Sequence, residues 1–89
     1  MDSATLFAAE LNPNIATIDL HHTGTVADAL EQLERELFLF YQNGEPYVRV
    51  VYGIGTGKLA SAVQEALTKN PMIGSWEKEE NGGSCIAVF

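Results

Sequence analysis

The sequence predicts an α/β domain: a two-layer α+β sandwich with the element order β-α-β-α-β-β. Three observations carry that prediction. Val26, Leu30, Leu33, Leu37 and Tyr41 recur at steps of three and four, the period of an amphipathic helix. That helix is flanked by two β-branched segments, IATIDL and YVRVVY. Strands joined through a helix run parallel, with a right-handed crossover in nearly all cases. Finally, IGSWEKEE and CIAVF are separated by NGG, the signature of an antiparallel hairpin. Parallel and antiparallel pairs together give a mixed four-stranded sheet with two helices.

The elements follow in order. The segment TLFAAELNPN reads as a short turn of helix or an arm, broken by NPN. Residues 1–14 are therefore set apart as an N-terminal extension, and residues 15–89 as the domain. The first strand spans Ile15 to Leu20, alternating apolar with small or polar residues. HHTG turns the chain. Thr25 is placed to cap the first long helix, with Asp28 three residues on. The outer face of this helix carries Asp28, Glu31, Glu34, Arg35 and Glu36, a solvated acidic surface. Gly44 and Pro46 stop it. Tyr47 to Tyr52 forms the second strand. Leu59, Val63, Ala66 and Leu67 trace the second helix, closed by KNP. The hairpin strands span Ile73–Glu80 and Cys85–Phe89, and EKEE reads as solvated strand and turn.

Composition bounds the function. The 89 residues suit one domain, and 46% hydrophobic content is that of a globular chain. No apolar run approaches a membrane span, so no membrane partner is expected. The lone Cys85 cannot form an internal disulfide and sits on the last strand as a core side chain. The start lacks the pattern of a secretory signal, and a cytoplasmic location is expected. A net charge of −7 argues against a broad basic surface for nucleic acid, though not against a local site.

Two polar turns are expected to meet. Parallel neighbours deliver their C-terminal ends to one edge, where open α/β sheets bind ligands. DLHH follows the first strand, and YGIGTGK follows the second. The second turn is not a Walker A loop, which would need glycine at Tyr52 and a hydroxyl at Leu59. Nor do Gly53, Gly55 and Gly57 satisfy the dinucleotide fingerprint. What remains is a run of exposed amides entering a helix N-terminus, with Lys58 beside it. That arrangement suits an anion such as a phosphodiester. The same glycines also serve a tight strand-to-helix turn with no ligand.

The ordered set IDLHH, TVADALEQLE, VRVVYGIGTGKLASAVQEAL and NGGSCIAVF resembles the small MutS-related (Smr) domain family over roughly residues 15–89. The resemblance implies a fold like the C-terminal domain of a bacterial translation initiation factor. It also implies DNA or RNA binding, with nicking or endonuclease activity in several members. Such domains often end larger proteins, so other domains of a larger protein are a second expected partner. Asp19 and His21 match the acidic residue and histidine of the first motif. Gly53, Gly55 and Gly57 match the glycines of the second. Lys58 matches a common basic position, and Gly82 and Gly83 match a late glycine pair. Two positions depart from the pattern: His22 replaces a glycine, and Tyr52 replaces the histidine that opens the second motif.

Phosphodiester cleavage needs a proton acceptor, donors for developing charge and help for the leaving group. His21 is the candidate acid or base. Asp19 either orients it or faces the phosphate through a divalent metal, Mg²⁺ or Mn²⁺. An RNA 2′-hydroxyl as nucleophile needs no metal. Tyr52 is expected to offer its hydroxyl, and is a poor proton acceptor at neutral pH. His22 and the amides of Gly53, Gly55 and Gly57, with Lys58, are the candidate phosphate contacts. Each has a plainer alternative: a turn acceptor for Asp19, a strand-end hydrogen bond for His21, an exposed turn for His22. Trp76 and Tyr47 either stack bases or pack against the fold. Three functional classes stand: a weak nuclease, a non-catalytic nucleic-acid binder, and a protein-interaction module.

Overall fold

Three helices and four strands make up the computed structural model, which describes residues 2–89. In chain order they are α1 (Ser3–Leu11), β1 (Thr17–Asp19), α2 (Val26–Gln42), β2 (Tyr47–Val51), α3 (Lys58–Lys69), β3 (Ser75–Lys78) and β4 (Ser84–Val88). The strand order is β1-β2-β4-β3. β1 and β2 pair in parallel, with Asp19 opposite Val51. β4 runs antiparallel to both β2 and β3. The mixed sheet and the β-α-β-α-β-β order after residue 14 are as the sequence predicts. β1, β2 and β3 are shorter than predicted at their ends, and β4 keeps its predicted length but starts one residue earlier, at Ser84.

Strand parity divides the sheet into two faces. Ile18, Leu20, Val48, Val50, Cys85 and Ala87 point to one side. There they pack with Ala29, Leu33 and Leu37 of α2 and Val63 and Leu67 of α3, all buried. The apolar stripes of these helices form the second layer. Burial pushes the Cys85 thiol up to about 12, so it is a core group and not a nucleophile.

The helix ends follow from local chemistry. The Thr25 hydroxyl accepts from Asp28 N at 3.0 Å, satisfying one orphan donor of α2. At the other end Gly44 adopts φ +78°. Gly44 N donates to the Tyr41 carbonyl at 3.1 Å and Glu45 N to that of Phe40 at 3.1 Å, a Schellman closure.

The N-terminal extension is a helix, α1, rather than an arm. Asp2 caps it, accepting from Thr5 N at 2.8 Å. It meets β4 on the face of the sheet opposite α2 and α3. Ala9 and Ile86, both fully buried, lie outside the main core there. α1 covers only part of that second face. The remainder, toward the C-terminal ends of β1 and β2, is where the polar turns lie.

Candidate functional site

β1 stops at Asp19, and Leu20 runs on into the core, donating to the Val51 carbonyl at 2.7 Å. Parity then puts Asp19 and His21 on the face away from α2 and α3. The turn is closed by Thr23, whose hydroxyl donates to the Leu20 carbonyl at 2.8 Å. Asp19 Oδ1 accepts from the His21 backbone N at 3.2 Å and pairs with His21 Nδ1. The His21 hydrogen bond holds the Asp19 carboxyl below its ordinary value. Both side chains stay exposed. The His22 ring lies against that of His21, with centroids 3.6 Å apart.

The glycine loop comes up beside this pair. Gly53 has φ +77°, and a Cβ there would sit 3.3 Å from the Cβ of His21. Gly53 is therefore the point of closest approach between the two turns. It also touches the hairpin: a Cβ on Gly83 would lie 3.5 Å from the Gly53 Cα. The Gly83 carbonyl accepts from both Tyr52 N and Gly53 N at 2.9 Å. This occupies the Gly53 amide, which the sequence reading offered to a phosphate. Beyond it, among the described residues, no protein acceptor takes the N–H of Ile54, Gly55, Thr56 or Gly57. Gly57 caps α3 at φ +84° without a side-chain hydrogen bond. Lys58 opens α3, exposed and in no ion pair among the described residues.

Between the turns lies an open crevice of about 490 Å³, bordered by His21, Arg49, Val51, Gly53 and Ile54, with Asn81, Gly83 and Ser84 across from them. A larger cavity of about 560 Å³ lies between α2 and α3, lined by Leu30, Leu33, Leu37 and Met72. It lies apart from Asp19, His21 and the glycine loop, so size alone would mislead.

Tyr52 is not brought to the crevice. It follows Val48 and Val50 on the helix-facing parity and is only 5% exposed. Its hydroxyl accepts from Gln64 Nε2 of α3 at 3.3 Å. Burial pushes the phenol pKa up. The expected hydroxyl contribution from Tyr52 conflicts with this placement.

Arg49 and Glu79 are crevice residues that the sequence reading missed. Arg49 Nε and Nη2 donate to Glu79 Oε1 and Oε2 at 2.7 and 3.0 Å. The Ser84 hydroxyl donates to Glu79 Oε1 at 2.7 Å. Glu79, expected to be solvated with the rest of EKEE, is buried. Burial alone would raise its pKa; the Arg49 and Ser84 hydrogen bonds outweigh that and hold it below the ordinary value. The signal available was Arg49 itself, a charge in the middle of an apolar strand. Trp76 and Tyr47 pack rather than stand free: Trp76 Nε1 donates to Thr68 Oγ1 at 2.9 Å, and the Tyr47 hydroxyl accepts from Asn12 Nδ2 at 3.3 Å.

Asp19, His21 and His22 can each offer one ligand atom, all within 4.8 Å of one another. Two imidazoles and one carboxylate suit borderline transition ions. As a full set they are not the all-oxygen octahedral shell of Mg²⁺, to which only Asp19 would offer an oxygen.

Fold and site together define a small α/β domain that presents an Asp–His pair and a glycine loop at the ends of two parallel strands. The family model described as Smr domain matches residues 18–88, and the chain belongs to that family. The Endonuclease MutS2 of Thermomicrobium roseum is 40% identical over 67 residues, covering 75% of this chain and 8% of that protein. Its namesake in Aquifex aeolicus is 42% identical over 67 residues, covering 71% of this chain and 8% of that protein. The chain thus spans 8% of the length of these curated relatives. The crystal structure of the Smr domain of Thermus thermophilus MutS2 aligns with a TM-score of 0.78 at 28% identity, covering 83% of this chain and 96% of that one. No helix among the described residues is long and apolar enough to cross a membrane.

Proposed function

We propose that the domain binds DNA or RNA through a phosphate at the glycine loop and cleaves the strand slowly, as a module of a larger, cytoplasmic protein. One observation carries this reading: an Asp–His pair abuts a loop whose amides, from Ile54 to Gly57, have no protein acceptor among the described residues. Those amides, the Lys58 ammonium and the N-terminus of α3 offer an anion donors and positive potential. Asp19 holds His21 by Nδ1, which leaves Nε2 as the free ring nitrogen. Held in that tautomer, Nε2 accepts a proton from the attacking hydroxyl, a water or an RNA 2′-hydroxyl. The loop donors and Lys58 meet the charge that develops on the phosphate oxygens. No second acid is held in place for the leaving oxygen: Tyr52 is buried, and His22 leans against the His21 ring at 43° with no hydrogen bond to orient it among the described residues. For that reason cleavage is slow.

The buried Tyr52 favours one other reading, a module that binds without cleaving. Single-turnover assays on single-stranded and structured DNA and RNA, with and without EDTA, separate the two. Wild type should cleave slowly, and His21→Ala should fall by about 10²–10⁴-fold with binding retained. Binding without cleavage in wild type selects the non-catalytic reading. Absence of binding to any of these nucleic acids refutes both.

A further inference from the structure

The crevice is larger than a phosphate needs, and its lining is of a different kind. A phosphate on the free amides would occupy only its edge, at Ile54 and beyond. The floor is Val51 with the bare backbone of Gly53 and Gly83, which approach each other closely. Two residues without side chains leave room for a ring to approach the backbone closely. Ile54 stands at the rim, 73% exposed, a large apolar side chain held in water beside a concave site. Beside Val51 lies its strand partner Ser84, buried with Glu79, to which its hydroxyl donates at 2.7 Å. Glu79 occupies Nε and Nη2 of Arg49, leaving Nη1 without a protein acceptor among the described residues. Asn81 and Ser84 border the opposite side. An open crevice with Val51 and glycine backbone at its base, an apolar side chain at the rim and polar groups beside them suits a planar ring with polar edges.

The charge balance points the same way. The chain has five Lys and Arg residues against 12 acids. Arg49 is paired with Glu79, and Lys69 with Glu65. Counterion release from phosphates therefore supplies little affinity. Contacts to a base have to supply the rest.

We infer that the crevice seats one unpaired nucleobase beside the phosphate held by the glycine loop, so that the domain acts on single-stranded or locally unpaired nucleic acid. The inference rests on the nucleic-acid reading above. A paired base cannot enter, because its edge and both faces are occupied in the duplex.

The test uses short oligonucleotides carrying 2-aminopurine at one position, as single strands and as duplexes. Ile54→Ala is the variant, since an exposed side chain can be cut back without unfolding the domain. A matched strand carries one abasic site in place of the fluorescent base. Wild type should bind the single strand more tightly than the duplex, with a change in 2-aminopurine fluorescence. Ile54→Ala should weaken single-strand binding by about tenfold, from the apolar contact it removes. The abasic strand should bind as weakly, and combining it with Ile54→Ala should cost nothing more. Equal binding of single strand and duplex, unaffected by Ile54→Ala or by the abasic site, overturns the base crevice while leaving nucleic-acid binding intact. No binding to either form overturns both.

Discussion

Gly53→Ala tests the contact on which the site depends. Gly53 sits at φ +77°, where a side chain costs about 1–2 kcal/mol. Alanine also stiffens the unfolded chain, which returns roughly 0.4–1 kcal/mol. The net backbone penalty is therefore about 1 kcal/mol, or a fall in Tm of about 4–8 °C for a domain of this size. Gly55→Ala supplies the control. Gly55 also has positive φ, +43°, but a Cβ there meets nothing within 4 Å. It should show the backbone penalty alone. At Gly53 the new methyl lies 3.3 Å from His21 Cβ, so the imidazole turn must shift by a few tenths of an ångström. Gly53→Ala should lose more stability than Gly55→Ala and should also move the ring resonances of His21. Thermal melts of both variants, with heteronuclear NMR of the histidine rings, read the two effects separately. Equal melting temperatures and unmoved His21 resonances in Gly53→Ala would refute the meeting of the two turns.

Two further outcomes follow from the side-chain network. The Glu79 carboxyl is held below its ordinary value, so the ion pair stabilises the fold above that value and the contribution is lost as pH falls through the folded pKa. Acid unfolding should show this loss and Glu79→Gln should flatten it; Arg49→Met should cost about 2–3 kcal/mol, discounted from the roughly 3–5 kcal/mol of a fully buried pair because Arg49 is 25% exposed. Tyr52→Phe should cost about 0.5–1.5 kcal/mol for the lost Gln64 hydrogen bond and leave cleavage unchanged. A tenfold fall in cleavage by Tyr52→Phe would put the phenol in the chemistry after all.

Local patterns were legible, as was the long-range pairing that a crossover helix imposes; side-chain partners far apart in the chain were not. The period of α2, its Thr25 cap and its Gly44 closure all follow from neighbours a few residues apart. The meeting of the two turns also followed, because a crossover helix forces β1 and β2 to run parallel. α1 was left open because it buries only Ala9, and its Phe7 and Leu11 stay exposed. Such a helix has no stripe to read. Glu79 looked solvated among EKEE because its partner, Arg49, is 30 residues away in the chain. For Tyr52 two signals disagreed. Its place in the family motif pointed it at the crevice, while the period of two from Val48 and Val50 pointed it into the core. Packing settled the conflict in favour of strand parity, since a tyrosine ring on the core side buries more apolar area than one left in water.

An acidic domain that binds a polyanion should leave a signature in its salt dependence. Asp28, Glu31, Glu34 and Glu36 all sit on α2, which covers the far face of the sheet. Charges farther apart than the Debye length of roughly 8 Å at physiological ionic strength are largely screened. Glu36 is not that far from the first turn, because Gln32 Nε2 donates both to the Asp19 carbonyl at 3.3 Å and to Glu36 Oε2 at 2.6 Å. Repulsion is therefore a local matter of the acids beside the turns. Attraction is local as well: among the described residues Lys58 is the cation at the loop without a carboxylate partner, and Arg49 is neutralised by Glu79. Each phosphate neutralised on a single strand contributes a slope of about −0.7 in log K against log salt. The slope should therefore lie near −0.7, and Lys58→Ala should bring it close to zero. Fluorescence titrations of a single strand across a range of salt concentrations measure it directly. A slope of about −3 or steeper would require several phosphates to be neutralised at once. Lys58 cannot do that alone, so such a slope would place the binding surface somewhere other than this crevice.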